Sequence, residues 1–266
     1  SCSYCTEALT SVAWRPAEGI LEELRMLRRD GYRELHLGDA SFGFPKPNAM
    51  RLLEGMVDGG MGFGWSAYTY PALADRDMLE LMKASGCHTL VIGIDTADFD
   101  LLKTYGRRLG MDRLRRFLED CRQLGIDVCG DFILGFDEET EEDVKRTIAL
   151  MLSLPLAYVS INIATPVIGS SLREKARREH RLDERPLGFD QSGDSILGTG
   201  RIPPERLRAL RRGATRAFYA RPGYLWRRVT GVRGLEHLAI QGLEAAALAE
   251  NYLRHLVGKG ALRSGS

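Results

Sequence analysis

Helical and strand periodicities take turns along most of this sequence. Residues 17–29 set Ile20, Leu24 and Leu27 at helical spacing, with Leu21 beside them, and Gly31 closes the run. Residues 34–37 read as a short strand ending at Gly38. Helix is then expected over 48–57, strand over 63–69, and helix over 75–84, with Asp75 as its cap and Gly86 closing it. The Leu-Val-Ile run in 89–94 reads as a buried parallel strand. Helix over 111–124 puts Leu114, Phe117, Leu118 and Cys121 on one face; strand 126–134, helix 141–152 and strand 157–163 follow. Strand starts recur about every 25 to 40 residues, the size of one strand–helix unit. Such a run makes a parallel sheet, and right-handed crossovers fold it into a barrel or a doubly wound sheet. After about Arg185 the alternation stops. Residues 204–219 form an amphipathic helix with Leu207, Leu210, Ala214 and Phe218 on one side, and 235–256 form a second helical pattern. The chain therefore divides into an α/β part, 1–185, and a helical C-terminal extension, 186–266.

Polar or backbone-unusual residues stand where the strands stop: Gly38–Asp39, Tyr68, Asp95, Gly135 and Thr165–Pro166. In parallel α/β folds the reactive face lies at the carboxyl ends of the strands. The stretch 147–172 has no charged residue, a pattern that can signal a membrane span. Pro155 sits within it, and Ser153, Ser160, Asn162 and Gly169 interrupt it, so a helix, a turn and a buried strand explain it better. Five cysteines in 266 residues are too few for a disulfide scaffold, and no secretory leader precedes them. A reducing cytoplasm is the expected compartment. From Arg201 onward there are 13 Lys/Arg against 4 Asp/Glu, although the net charge of the whole is only +1. Without an aromatic-interleaved motif this excess reads as solvated helix faces, and nucleic acid is not an expected partner.

Cys2-Ser3-Tyr4-Cys5 is a Cys-x-x-Cys pair, and thiolates so spaced on a loop can grip one metal or cluster. Alone it would equally suit a thioredoxin-like redox pair or half of a zinc site. A redox pair of that kind does not stand at the front of a run of strand–helix units. A zinc site needs two more ligands nearby, yet Cys87, Cys121 and Cys129 are expected on a helix end, a helix face and a strand, as buried apolar residues. His36, His88, His180, His237 and His255 are scattered and read as structural.

In this context the chain resembles the radical S-adenosylmethionine (radical SAM) family. Its members carry Cys-x-x-x-Cys-x-aromatic-Cys on the loop after the first strand of a partial (β/α) barrel. Cys2, Tyr4 and Cys5 match the last two cysteines and the aromatic. The chain opens at Ser1, so the first cysteine and the first strand are expected to be missing by truncation from something longer. The resemblance extends to about Leu172. Gly38–Asp39 resembles the segment that receives the SAM amino group. Asp95, in Gly-Ile-Asp-Thr, stands where relatives carry Gly-x-Glu-Ser or Gln, and implies a shorter reach to the ribose. Arg107 falls where relatives hold the SAM carboxylate with arginine or lysine, for which a guanidinium is well shaped. Asp131, Ile133 and Gly135 resemble Asp-x-Ile-x-Gly; after them Asp137 and Glu138 replace the family's Pro and Gly, while Glu139-Thr140 remain. Thr165-Pro166 with Gly169-Ser170 resembles the end of the sixth strand. Taken singly, Asp131 suits a hydrogen-bonded structural role, Arg107 a solvated loop and Gly38 a plain turn. Their order along successive strand ends is what carries the likeness.

The resemblance implies Cys2 and Cys5 as ligands of a 4Fe-4S cluster, and Tyr4, Gly38, Asp39, Asp95, Arg107, Asp131, Ile133 and Pro166 as the surroundings of SAM. Phe218-Tyr219-Ala220-Arg221-Pro222 is similar to the stretch after the barrel in cobalamin-dependent members, which implies cobalamin as a further cofactor, bound mainly by a domain before the barrel. The implied chemistry is reductive cleavage of SAM to a 5′-deoxyadenosyl radical, hydrogen abstraction from an unactivated carbon, and methylation or rearrangement. A small-molecule substrate and an electron donor are the implied partners. With one cluster cysteine outside it, the chain alone is expected to be nearly inactive. Two alternatives stand beside this reading: a non-catalytic barrel scaffold, and an RNA-modifying member using the basic tail.

Overall fold

The computed structural model describes residues 4–5, 12–179, 199 and 201–224. Its elements run α1 (Ala17–Arg29), β1 (Glu34–Phe42), α2 (Lys46–Asp58), β2 (Gly64–Thr69), α3 (Arg76–Ala84) and β3 (Cys87–Asp95). Then follow α4 (Phe99–Thr104), α5 (Met111–Leu124), β4 (Asp127–Leu134), α6 (Glu141–Ser153), β5 (Tyr158–Ile163), α7 (Ser171–Arg178) and α8 (Pro204–Tyr219). By its internal contacts the chain divides into two compact units, Ser1–Arg216 and Ala217–Ser266. In the described part of the second, the rings of Phe218, Tyr219 and Tyr224 pack together and the Arg221 guanidinium lies 3.8 Å from the Phe218 ring centre.

All four strand pairings are parallel, and the strands stand in their sequence order, β1-β2-β3-β4-β5. This is the expected α/β partial barrel, an open sheet with crossover helices. Two-residue alternation sorts the strands into faces. Trp65 and Ala67, then Leu90, Ile92 and Ile94, then Phe132 and Leu134 are buried against helices. Burying each large apolar side chain contributes about 2 kcal/mol. The alternate residues, among them Ser66, Tyr68, Thr89, Val91, Cys129, Asp131, Ser160 and Asn162, are half-buried or exposed. They line the concave face, which is largely polar.

Helix faces follow the same logic. On α5, Leu114, Phe117, Leu118 and Cys121 are all buried, as the 3.6-residue period requires. Asp75 caps α3 by accepting from the Met78 amide, and Thr140 with Asp143 forms a complete capping box on α6. Gly86 turns the chain from α3 into β3 with φ 102°; a Cβ there would lie 1.9 Å from the Phe63 carbonyl oxygen, so only glycine fits.

Three expectations need correction. The first strand does not stop before Gly38 but runs to Phe42, so Gly38 and Asp39 lie inside β1, where its pairing with β2 lapses between Leu37 and Phe42. The turn comes at Gly43, whose φ is 113°. Cys87 opens β3 and is not at a helix end; it is buried like Cys121, whereas Cys129 is only half-buried on the concave face. The short helices α4 and α7 escaped the periodicity. The C-terminal pattern over 235–256 lies outside the described residues. Within the charge-free stretch, α6 ends, Pro155 turns the chain and β5 follows; among the described residues no helix is long and apolar enough to cross a membrane.

Candidate functional site

At the carboxyl ends of β3, β4 and β5 the segment Tyr4-Cys5 meets the sheet. Tyr4 is 9% exposed and stands edge-on to Tyr105 and Phe136, with ring centres 5.6 and 5.3 Å away. Ala164 and Leu172 complete this apolar nest, and Cys5 and Ile133 pack against it. The aromatic of the Cys-x-x-Cys segment thus anchors Cys5 beside the strand ends. Cys2 lies outside the described residues.

Next to this nest β3 ends in an unusual way. Asp95 has φ 62°, the left-handed region, and pairing with β4 shifts register between Gly93 and Asp95. Asp is among the residues that tolerate such a backbone best. Its side chain is 4% exposed and forms an ion pair with Arg107, Oδ2 to Nε 2.7 Å. Arg107 also donates from Nη2 to the Gly93 carbonyl at 2.8 Å, and its guanidinium carbon lies 5.2 Å from the Tyr70 ring centre. Burial pushes the Asp95 carboxyl above the usual range, and the nearby Asp131 adds to this; the Arg107 charge and the nearby Tyr4 hydroxyl oppose it.

Asp131, half-buried on β4, accepts from Asn162 Nδ2 at 2.7 Å. Burial raises its carboxyl too, against the hydrogen bonds from Ser160 and Asn162 and the charge of Arg107. Ile133 faces the same side, bordering a small cleft with Tyr4, Phe136, Asn162, Thr165 and Leu172. Pro166 is buried in the turn after β5, and its carbonyl accepts from Arg173 Nη1 at 3.2 Å. Gly38 and Asp39 are exposed on the edge strand β1. Tyr4, Asp95, Arg107 and Asp131 are therefore brought together, with Cys5 and Ile133 packed on the same apolar nest.

The positions that depart from the family pattern have partners of their own. Lys175 on α7 forms ion pairs with Asp137 at 2.5 Å and Glu138 at 3.2 Å. The Tyr105 hydroxyl donates to Glu138 at 2.6 Å. Burial works against the Glu138 charge, but the Tyr105 and Lys175 hydrogen bonds outweigh it and hold the carboxyl below its usual value.

Glu139 was not among the expected site residues, yet it organises the loop after β4. It is 2% exposed. One oxygen accepts the Gly135 and Phe136 amides at 2.8 and 2.9 Å, and the other accepts the Thr96 hydroxyl at 2.7 Å. Thr96 in turn meets the Thr147 hydroxyl at 3.0 Å. This buried network ties the end of β3 to the β4–α6 loop and to α6. Burial lifts the Glu139 pKa to about 6. In sequence Glu139 sits in an acidic run just before α6, where it looks like a solvated helix start; the signal that pointed to it was the Glu139-Thr140 pair retained from the family's pattern.

Among the described residues, no three His, Cys, Asp or Glu side chains are grouped so as to hold a metal ion. The family model of the Radical SAM superfamily matches residues 1–151. An uncharacterized methyltransferase of Pyrococcus horikoshii is 28% identical over 229 residues, covering 85% of this chain and 50% of that protein. The bacteriochlorophyllide d C-12(1)-methyltransferase of Chlorobaculum tepidum is 26% identical over 186 residues, 66% of this chain and 40% of its own length. The chain thus spans about half the length of the curated relatives it matches, or less. Among solved structures, the radical S-adenosylmethionine methyltransferase TsrM from Kitasatospora setae, with cobalamin and a 4Fe-4S cluster bound, superposes with TM-score 0.62 at 19% identity. That match covers 82% of this chain and 44% of the other. The cobalamin-dependent radical enzyme OxsB superposes with TM-score 0.59 at 13% identity, covering 79% and 38%.

Proposed function

Because this chain belongs to the radical SAM superfamily, we propose that the protein carrying it is a radical SAM methyltransferase of a small molecule. In this reading it holds a 4Fe-4S cluster through Cys2, Cys5 and the motif's third cysteine, and uses cobalamin to carry the methyl group. The observation that carries the proposal is the meeting of Tyr4-Cys5 with the Asp95–Arg107 pair and Asp131 at the strand ends. The donor chemistry fits the two groups: a thiol for iron, a clamped guanidinium for a carboxylate, and half-buried polar side chains for the rest of SAM. When bound, cluster and SAM supply a carbon-centred radical strong enough to remove hydrogen from an unactivated carbon.

The chain's own residues bind, orient and exclude water. Tyr4, anchored by Tyr105 and Phe136, fixes Cys5 against the strand ends. Arg107 offers the carboxylate site, and Asp131 with Asn162 offers hydrogen-bonding groups at the rim of the concave face. That face presents Ser66, Thr89 and Ser160 besides, which suits a polar substrate. Methyl transfer is supported by the two methyltransferases among the relatives, and cobalamin by the Phe-Tyr-x-Arg-Pro segment at 218–222. An electron donor for the cluster completes the set of partners.

The test is anaerobic iron–sulfur reconstitution of the full-length protein, followed by assay of 5′-deoxyadenosine from SAM under reduction and of bound cobalamin by its visible spectrum. Product that disappears in Cys2→Ala and Cys5→Ala is the expected result. Failure to form a cluster or deoxyadenosine would leave a barrel-shaped scaffold.

A further inference from the structure

We infer that Asp95 is a positioning residue: it holds the Arg107 guanidinium in place for a ligand carboxylate and does not itself grip the ribose. The inference rests on the SAM reading above, and deepens it at one residue.

Three observations lead to it. The backbone comes first. At φ 62°, with the β3–β4 register shifting just before it, Asp95 leaves the strand alternation, and the Thr96 amide closes a tight turn on the Ile94 carbonyl at 2.9 Å. A strained backbone of this kind persists only where its surroundings hold it.

The second is where the side chain goes. It is 4% exposed and reaches Arg107 Nε at 2.7 Å. A ribose hydroxyl would have to compete for that carboxylate with a full positive charge already 2.7 Å from it, and two buried opposite charges attract more strongly than a hydroxyl dipole can. The shorter side chain at this position reaches the arginine and stops there.

The third is how completely the arginine is seated. Its Nε side faces Asp95, Nη2 donates to the Gly93 carbonyl at 2.8 Å, and its flat face covers the Tyr70 ring. The Tyr70 hydroxyl is itself bound to the Arg108 carbonyl. Gly93 is part of the seat, since a Cβ there would lie 2.3 Å from Arg107 Nη2. A planar cation held on one edge and one face is pre-organised for a carboxylate ligand, and ordering it beforehand lowers the cost of binding.

Two ligands separate the carboxylate role from the ribose role. S-adenosylhomocysteine has adenine, ribose and the amino-acid end; 5′-methylthioadenosine has adenine and ribose only. Both are titrated by calorimetry into the reconstituted full-length protein and its variants. Asp95→Asn is expected to weaken S-adenosylhomocysteine about tenfold, as does loss of one charge-assisted contact, and to leave methylthioadenosine unchanged. Arg107→Gln should do the same, and the double variant should be no weaker than Arg107→Gln alone. Gly93→Ala displaces the guanidinium without touching Asp95, and should reproduce the pattern even if Asp95→Asn does not fold. Equal weakening of both ligands by Asp95→Asn, or unchanged S-adenosylhomocysteine binding in Gly93→Ala, would overturn the inference. If the unaltered protein binds neither ligand, the SAM reading itself fails; if it binds both, that reading stands whatever Asp95 does.

Discussion

Glu139 shows how one buried carboxylate holds a site together at a cost. It accepts two backbone amides and a hydroxyl, yet burial raises its pKa from 4.5 to about 6. A folded-state pKa above the unfolded one means that the native protein binds the extra proton. Its contribution is therefore fully present below about pH 4.5 and is lost as pH rises through 6, a change of about 2 kcal/mol. Glu139→Gln keeps an acceptor for the two amides and can donate to Thr96, which can turn its own proton towards Thr147. Denaturant melts at pH 4.5 and pH 7 should show the Gln variant gaining about 2 kcal/mol on the wild type between them. Glu139→Ala leaves both amides without their acceptor and should cost about 2 to 4 kcal/mol at either pH. Equal pH profiles for wild type and Glu139→Gln would count against the raised pKa. The sequence announced such residues unevenly. Tyr4, Asp95, Arg107 and Asp131 were singled out by the order of their motifs in the family resemblance; taken one by one, the residues did not announce a site. Their mutual pairing was not legible either, since an ion pair between Asp95 and Arg107 depends on the left-handed turn at Asp95, which no local pattern predicts. Glu139 was noticed only as a retained motif residue; its place in a buried network was not, because its neighbours carry like charge and suggest a solvated helix start.

Elements were read best where apolar spacing was long and the ends were marked. The α5 helix is bounded as expected because Leu114, Phe117, Leu118 and Cys121 repeat over its whole length and Gly125 stops it in the left-handed region. The α4 and α7 helices were missed for opposite reasons of the same kind. At 6 residues α4 is too short to show a period, and Asp98 caps it by accepting the Asp100 and Leu101 amides. In α7 only Leu172 and Ala176 are buried among charged residues, so the apolar stripe is two residues wide. Its Lys175 matters to the site all the same, through Asp137 and Glu138. Between elements the tightest joint is the turn at Gly86. Gly86→Ala would put a methyl against the Phe63 carbonyl oxygen in a backbone conformation unfavourable to L-residues. A loss of about 3 kcal/mol or more is expected, read as a lower melting temperature. A loss below 1 kcal/mol would mean that the turn can relax, and that the close approach described here is not required.

At the scale of the sheet, one face is packed under helices and the other is largely polar. Ile92 is fully buried under the helices, and Ile92→Ala should cost about 2 to 5 kcal/mol. Tyr68, on the concave face, is 45% exposed, so Tyr68→Ala should change stability by less than about 1 kcal/mol. Paired unfolding curves of the two variants test this division; comparable losses would mean that the concave face is packed. The fold class was legible from the recurring strand–helix units, while the run in 89–94, read as buried throughout, alternates in burial, with Val91 half-buried on the polar face; that face's polarity names no substrate. The order of the strands has a consequence of another kind. Among the described residues each strand pairs only with its immediate neighbours in sequence, so none of these pairings has to wait for a distant segment. As the chain leaves the ribosome, every new strand–helix unit finds a finished edge to dock on, and the sheet can be assembled during synthesis, one unit at a time.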